Sequence, residues 1–296
     1  MIEVKNLTQT YKSGKGVFDL TFTIGAGEAF GYLGPNAAGK TTTIRNLLGF
    51  TNAAKGYAKI NGRDCRREAA RLQNDIGYLP GEIAFLDNMT GTQFLNFMGD
   101  MRGTKDVKRR DDLIDRMELD PTGKIKKMSK GMKQKLAIVT AFMHDPSVYI
   151  LDEPTSGLDP FMQNIFMDLL DGEKERGKTI MMSSHIFEEV QRSCDRAGII
   201  QDGRIVAIED IQALNSMKQK TYTITLSDSG DADRLCGGGL SAKRVAHYRV
   251  QITVGQNYRE FFETLATCGV VGLYAEQQSL EDVFMKYYGK DGTSHE

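Results

Sequence analysis

Short apolar runs, glycine turns and stretches of helical periodicity alternate through residues 1–218, the order expected of a sheet with helices on both faces. VFDLTFTI at residues 17–24 alternates polar and apolar side chains as a half-buried strand does. Gly25-Ala26-Gly27 then turns the chain into a second strand, EAFGYL at 28–33. GYAKING at 56–62 reads as a strand ending in a turn. SVYIL at 147–151 and TIMMS at 179–183 are continuous apolar runs, the pattern of strands buried in a parallel sheet. Helical spacing opens at 42–48 and returns at about 162–175. Between 90 and 127 it places Phe94, Phe97, Met98 and Met101 on one side of one helix and Leu113, Ile114 and Met117 on another. Residues from about 84 to 145 are therefore expected to form a helical subdomain.

Past residue 218 the pattern changes. TYTITL at 221–226 and YRVQITV at 248–254 alternate like strands, residues 231–235 and 258–265 are helix-like, and 270–275 is apolar again. These elements predict a separate small α+β domain over 219–296 in a ferredoxin-like order, closed by a final helix over 279–288 that Ser279 and Asp282 cap.

Composition adds bounds rather than identity. The chain has 296 residues, 40% of them hydrophobic and 26% charged, enough for one large domain and a small one. A net charge of -1 and a pI near 6.5 supply no electrostatic footprint for nucleic acid. Cys65, Cys194, Cys236 and Cys268 lack metal-ligand spacing and read as buried or idle thiols in a reducing compartment. The first residues carry no signal-peptide pattern, and apolar stretches such as 136–143 fall short of the roughly twenty residues a membrane span needs. Any work at a membrane would go through a partner.

The candidate chemistry gathers at strand ends. LDEPTSGLDP at 151–160 sets Asp152 and Glu153 just past an apolar strand and Asp159 a short loop later. Two anions side by side in a crevice call for a cation, and Mg²⁺ with a phosphate chain fits them. GPNAAGKT at 34–41 lies between a strand and a helix and has the spacing of the phosphate-binding loop. There the backbone of Gly34, Asn36, Ala37, Ala38, Gly39, Lys40, Thr41 and Thr42 would cradle phosphates. Lys40 would reach the β- and γ-phosphates, and the Thr41 hydroxyl would bind Mg²⁺. His185, at the end of the strand after the carboxylates, is placed to reach the γ-phosphate or the attacking water. Ser129 is a good N-cap for the helix that follows it, and with the amides near Gly131 it would form a second anion site.

Together with MSKGMKQK at 128–135, these motifs resemble the ATP-binding cassette family, the motor subunits of ABC transporters. The likeness covers residues 1 to about 218, and the motifs stand in the family's order. It implies a phosphate-loop NTPase cassette with an antiparallel β subdomain and a helical subdomain, acting as a Mg²⁺-dependent ATPase. In that reading Glu153 orients or deprotonates the attacking water, Asp152 holds Mg²⁺, His185 stabilises the γ-phosphate, and Tyr11 stacks on adenine. Ser129, Lys130, Gly131 and Met132 grip ATP bound to a second copy of the chain, with Asp159 in the dimer loop. The implied partner is a polytopic membrane permease, with the ATPase peripheral on the cytoplasmic face of the plasma membrane.

The tail resembles the accessory domain on ATPases of type-two ABC exporters, which often end in an SLEDVF segment. Some positions depart from the family's pattern. Ala37 replaces a common glycine and is expected to avoid a left-handed conformation. Gly81 stands where a metal-touching glutamine is usual, leaving Glu82 either as its substitute or as an ordinary acidic loop residue. Lys130 and Met132 replace a glycine and a glutamine, a variant similar to the exporter branch. Residues 85–101 either line a groove for a permease helix or pack within the helical subdomain. The competing class is a soluble, non-transport cassette ATPase acting on ribosomes or DNA, against which the charge balance argues.

Overall fold

The computed structural model describes residues 1–86, 88–103, 107–216, 220–254 and 258–277. The helix expected over 279–288 lies outside them. Contacts divide the chain into two compact units, Met1–Ile211 and Gln212–Glu296.

The first unit contains two sheets. β1 (Ile2–Thr10), β2 (Gly16–Ile24), β4 (Lys55–Ile60) and the two-residue β5 (Arg63–Asp64) form an antiparallel sheet ordered β2-β1-β4-β5. Its inward side chains, among them Ile2, Val4, Leu20, Ile24 and Ile60, are fully buried. The larger sheet contains β3 (Ala29–Leu33), β6 (Ile76–Leu79), β7 (Val148–Asp152), β8 (Thr179–Ser184), β9 (Arg196–Gln201) and β10 (Arg204–Asp210) in the order β10-β9-β3-β8-β7-β6. All neighbours in it are parallel except β9 and β10. Every residue of β3, β7 and β8 is buried, as their unbroken apolar runs require of strands covered on both faces.

The helices of this unit are α1 (Lys40–Leu47), the single-turn α2 (Ala69–Leu72), α3 (Gly91–Arg102), α4 (Lys108–Arg116), α5 (Lys130–Phe142), α6 (Pro160–Glu175) and α7 (Phe187–Ser193). α3 begins on a capping box, in which Thr90 accepts from the Gln93 amide and the Gln93 side chain accepts from the Thr90 amide. The apolar stripe expected on α3 splits in the structure. Phe94 and Leu95 are buried, whereas Phe97 and Met101 are exposed, so the helix covers a core with only part of its apolar face. Phe142 of α5 stacks on Tyr149 of β7 at 4.3 Å between centroids and meets Phe166 of α6 edge-on, joining helices to sheet.

α8 (Ile211–Ser216) leads into the second unit, which contains β11 (Lys220–Leu226), α9 (Ser229–Gly237), β12 (Ser241–Ala246), β13 (Arg249–Val254), α10 (Tyr258–Leu265) and β14 (Val270–Gln277). The four strands form an antiparallel sheet ordered β12-β13-β11-β14, a β-α-β-β-α-β arrangement of the ferredoxin-like type. Ile224, Leu235, Val250, Ile252 and Phe261 make its core. The sequence pattern does not reveal β12, because it is an edge strand with the mostly exposed sequence SAKRVA, which leaves no apolar alternation to read.

Candidate active site

Three neighbouring strands deliver the candidate residues to one edge of the parallel sheet. β8 pairs with β3 on one side and β7 on the other, so the loops leaving all three meet at their carboxyl ends, the usual ligand position in open α/β sheets. After β3 the chain makes the phosphate loop. A side chain on Gly34 would collide with the Ile200 carbonyl, and Gly39 caps α1 at φ 114° without a side-chain hydrogen bond. The first-turn amides of α1 thus form a helix N-terminus suited to an anion. Lys40 is buried, and its Nζ donates to the carbonyls of Gly34 at 2.6 Å and Pro35 at 3.2 Å.

Ala37 corrects an expectation. It adopts φ 67°, the left-handed conformation that its Cβ was expected to avoid. The tight turn, in which the Ala38 amide donates to the Pro35 carbonyl at 3.2 Å, imposes a backbone shape that glycine would adopt without strain.

Asp152 is 2% exposed and bonds two hydroxyls. Thr41 Oγ1 donates to its Oδ2 at 2.9 Å, and Ser183 Oγ donates to its Oδ1. Among the described residues it has no ion-pair partner within 4.0 Å, so a buried carboxylate stands beside the phosphate loop without a cation. That donor set of one carboxylate and one hydroxyl fits Mg²⁺, which takes few protein ligands and completes its shell with water and phosphate oxygens. Burial and, next, the Asp152 charge push the nearby Tyr78 phenol up to about 12.

Glu153 follows with φ 51°, a second strained position at the site. The left-handed backbone turns its carboxylate out of the strand. Oε1 lies 3.2 Å from Lys40 Nζ and Oε2 lies 2.6 Å from His185 Nδ1. The acid, the lysine and the histidine come from three different strand ends and meet only through the order of the sheet.

These groups line a cleft of about 670 Å³ that also includes Tyr11, Asn36, Ala37, Gly39, Thr41, Thr42, Gly81, Glu82 and Asp152. Its size and polarity suit a nucleotide. Tyr11 is 38% exposed at the mouth, in a turn whose ends are tied by its own amide donating to the Lys15 carbonyl at 2.8 Å. Gly81 lies closer to the acid than its sequence suggests, since a Cβ there would touch the Asp152 carboxylate at 3.4 Å. Glu82 lines the cleft as an exposed side chain.

Other predicted residues are not brought into this cleft. Ser129 caps α5, its Oγ accepting from the Met132 amide at 3.2 Å, and Lys130, Gly131 and Met132 form that helix's first turn. None of the four lines the cleft of their own chain. Asp159 likewise caps α6, accepting from the Met162 amide at 3.0 Å. Lys130 Nζ reaches Ser156 Oγ at 3.2 Å, joining the capped helix start to the loop that follows the carboxylates.

Several residues that build the site are missed by sequence reasoning. Gln134 is 3% exposed and donates to the Pro154 carbonyl at 2.6 Å, fastening α5 to the turn after Glu153. Thr155, Ser183, Ser184 and Glu189 support the acids and His185 from behind. For Ser183 and Ser184 the signal is a polar pair at the end of an apolar strand, and for Gln134 and Glu189 a polar residue on a helix, where solvation is the ordinary explanation.

The class defined by this fold and cleft is the phosphate-loop NTPases. Comparison with known proteins narrows it. The ABC transporter family profile matches residues 17–156. The linearmycin resistance ATP-binding protein LnrL of Bacillus subtilis is 36% identical over 310 aligned positions that cover 98% of this chain and 99% of that protein. The Nod factor export ATP-binding protein I of Rhizobium meliloti is 30% identical, with 98% and 88% covered. A solved ATP-binding subunit of an ABC transporter superposes with a TM-score of 0.67 at 29% identity, over 73% of this chain and 92% of that one. The chain belongs to the ABC transporter ATP-binding subunits, and it is an ATP-binding ATPase.

Proposed function

We propose that this ATPase drives a separately encoded, polytopic permease that exports its substrate, working as a pair of cassettes at the cytoplasmic face of the membrane. No helix among the described residues is long and apolar enough to cross a membrane, so the transport path would belong to the partner. Exposed Leu86, Phe97, Met101 and Val107 in and beside the helical region offer apolar surface for it. Export is favoured by relatives whose names carry resistance and export.

ATP would stack its adenine on Tyr11 and lay its phosphates along residues 34–42, with Lys40 turning from the loop carbonyls to the β- and γ-phosphates. Thr41 and Asp152, with Glu82 as a further candidate, would hold Mg²⁺, which supplies charge neutralisation on the phosphates when bound. Glu153 takes the proton of the attacking water, and His185 stabilises charge on the departing γ-phosphoryl group. Ser129, Lys130, Gly131 and Met132, capped and outside their own cleft, would face the γ-phosphate of the second copy's ATP, with Asp159 beside them. ATP then favours the closed pair by the contacts it makes only there.

The observation that carries this reading is the meeting of Lys40, Glu153 and His185 in one cleft while the Ser129 set lies outside it. Glu153→Gln tests it. The variant should bind ATP, lose at least about a hundredfold in turnover, and elute as a dimer in Mg-ATP by light scattering. A monomer at saturating Mg-ATP, alone and beside the permease, would overturn the paired-cassette reading.

A further inference from the structure

The Glu153–His185 contact joins two loops that leave different strands, and backbone pairing reaches the first of them, the Glu153 amide donating to the Ser183 carbonyl at 3.1 Å. β7 and β8 are in register through Asp152 and Ser183. Beyond that point a second side-chain bridge joins the two loops. Glu189, on α7 one turn after His185, accepts from Thr155 Oγ1 with its Oε1 and from Ser184 Oγ with its Oε2 at 2.6 Å. Thr155 lies two residues after Glu153 and is 5% exposed; Ser184 immediately precedes His185 and is fully buried. The Ser184 hydroxyl in turn accepts from the Ile186 amide at 3.0 Å, so it spans the histidine from both sides. α7 is itself held down by buried Val190, which fills the space over Gly31 where any side chain would collide.

We infer that Glu189 is a positioning residue for hydrolysis: its carboxylate clamps the loop after Glu153 to the loop carrying His185, and thereby sets the distance between that acid and that histidine. The inference rests on the reading of Glu153 and His185 as the working pair. A carboxylate suits the task because its two oxygens each accept from one hydroxyl. An error of about 1 Å between reacting groups is worth on the order of a hundredfold in rate, so the clamp acts on turnover rather than on nucleotide affinity.

Steady-state ATPase kinetics of the full chain test this, with nucleotide binding and melting temperature measured on the same samples. Glu189→Ala should lower kcat roughly 10- to 100-fold while KM for Mg-ATP stays within about threefold. Glu189→Gln, which can still accept one hydroxyl and donate to the other, should recover most of that loss. Thr155→Val combined with Ser184→Ala removes the hydroxyls and leaves the carboxylate. This double variant should reproduce the kcat loss, and it carries the test if Glu189→Ala fails to fold. A wild-type kcat in Glu189→Ala or in the double variant, or a rise in KM that accounts for the loss, overturns the clamp. Glu153→Gln and His185→Ala are measured beside them. If those two turn over like the parent, the working-pair reading has failed; if they are inactive while Glu189→Ala is not, only the clamp has failed.

Discussion

β7 carries two buried charged sites three residues apart, and they are built in opposite ways. At Tyr149 the site is closed. The Tyr149 hydroxyl donates to Glu173 Oε2 at 3.0 Å, Arg109 reaches Glu173 Oε1 at 2.8 Å, and Arg176 reaches Oε2 at 2.9 Å. Arg176 and Lys178 also pair with Asp145 and hold that carboxyl at about 2, against the opposing effect of its partial burial. Glu173, 3% exposed, has two cations and a hydroxyl. Asp152, equally buried, has two hydroxyls and no cation among the described residues. The neutralised carboxylate ties helices to a sheet; the one without a cation lines the cleft beside the phosphate loop.

Removing the closed site's acid should have the largest effect. Glu173→Ala removes the acid that Arg109, Arg176 and Tyr149 share and should lower stability by about 3 kcal/mol, a drop of roughly 5–10 °C in Tm, while nucleotide affinity of the folded protein is kept. Calorimetry beside nucleotide titration separates the two quantities. If affinity fell and Tm did not, the contrast between the sites would be wrong.

Asp152→Asn should do the reverse. Hydrolysis falls by at least about a hundredfold, near 2.7 kcal/mol, yet the nucleotide-free protein melts no lower than the parent, because a buried charge without a cation has been removed. A destabilised Asp152→Asn would mean that the acid is structural.

pH sharpens the same comparison. His144, just past α5, sits with Nε2 2.7 Å from Arg102 Nη1 and is held at about 4, by burial first and then by the Arg102 charge. Its folded value lies below the ordinary 6.5, so the unfolded chain takes up its proton first. This contribution to stability is full above pH 6.5 and is lost as the pH falls toward 4. The fall in Tm between pH 6.5 and 4.5 should be smaller in His144→Gln. An equal fall in both proteins would place the acid sensitivity elsewhere.

The smallest effect concerns backbone strain at the open site. Ala37→Gly relieves the left-handed alanine, and the released strain of about 1–2 kcal/mol slightly exceeds the roughly 0.4–1 kcal/mol that glycine adds in unfolded-chain entropy. A rise in Tm of at most about 3 °C with nucleotide affinity unchanged, read by calorimetry and titration, is expected. A loss of affinity would show that the alanine methyl group itself supports the loop.

Much of the site is legible in the linear chain. The phosphate loop, the two carboxylates and the strand leading to His185 are local patterns, each set by a few consecutive residues whose backbone and burial preferences agree. Less is legible where the signal is weak or shared. The exposed edge strand β12 has no apolar alternation. Phe97 and Met101 carry a core-like spacing and remain outside. Glu189 looks like any charge on a short helix until Thr155 and Ser184 are seen against it.

By itself, then, the sequence determined the strands and helices with a clear period and which side chains stand at their ends, because periodicity, turn chemistry and capping act within a few residues. The tertiary structure alone decided that β8 lies between β3 and β7, and so which strand ends meet. It also decided that Ala37 and Glu153 take left-handed backbones, and that one buried acid on or against β7 is neutralised and the other is not. Those outcomes depend on contacts between residues far apart in the chain, where packing and charge pairing override local preference.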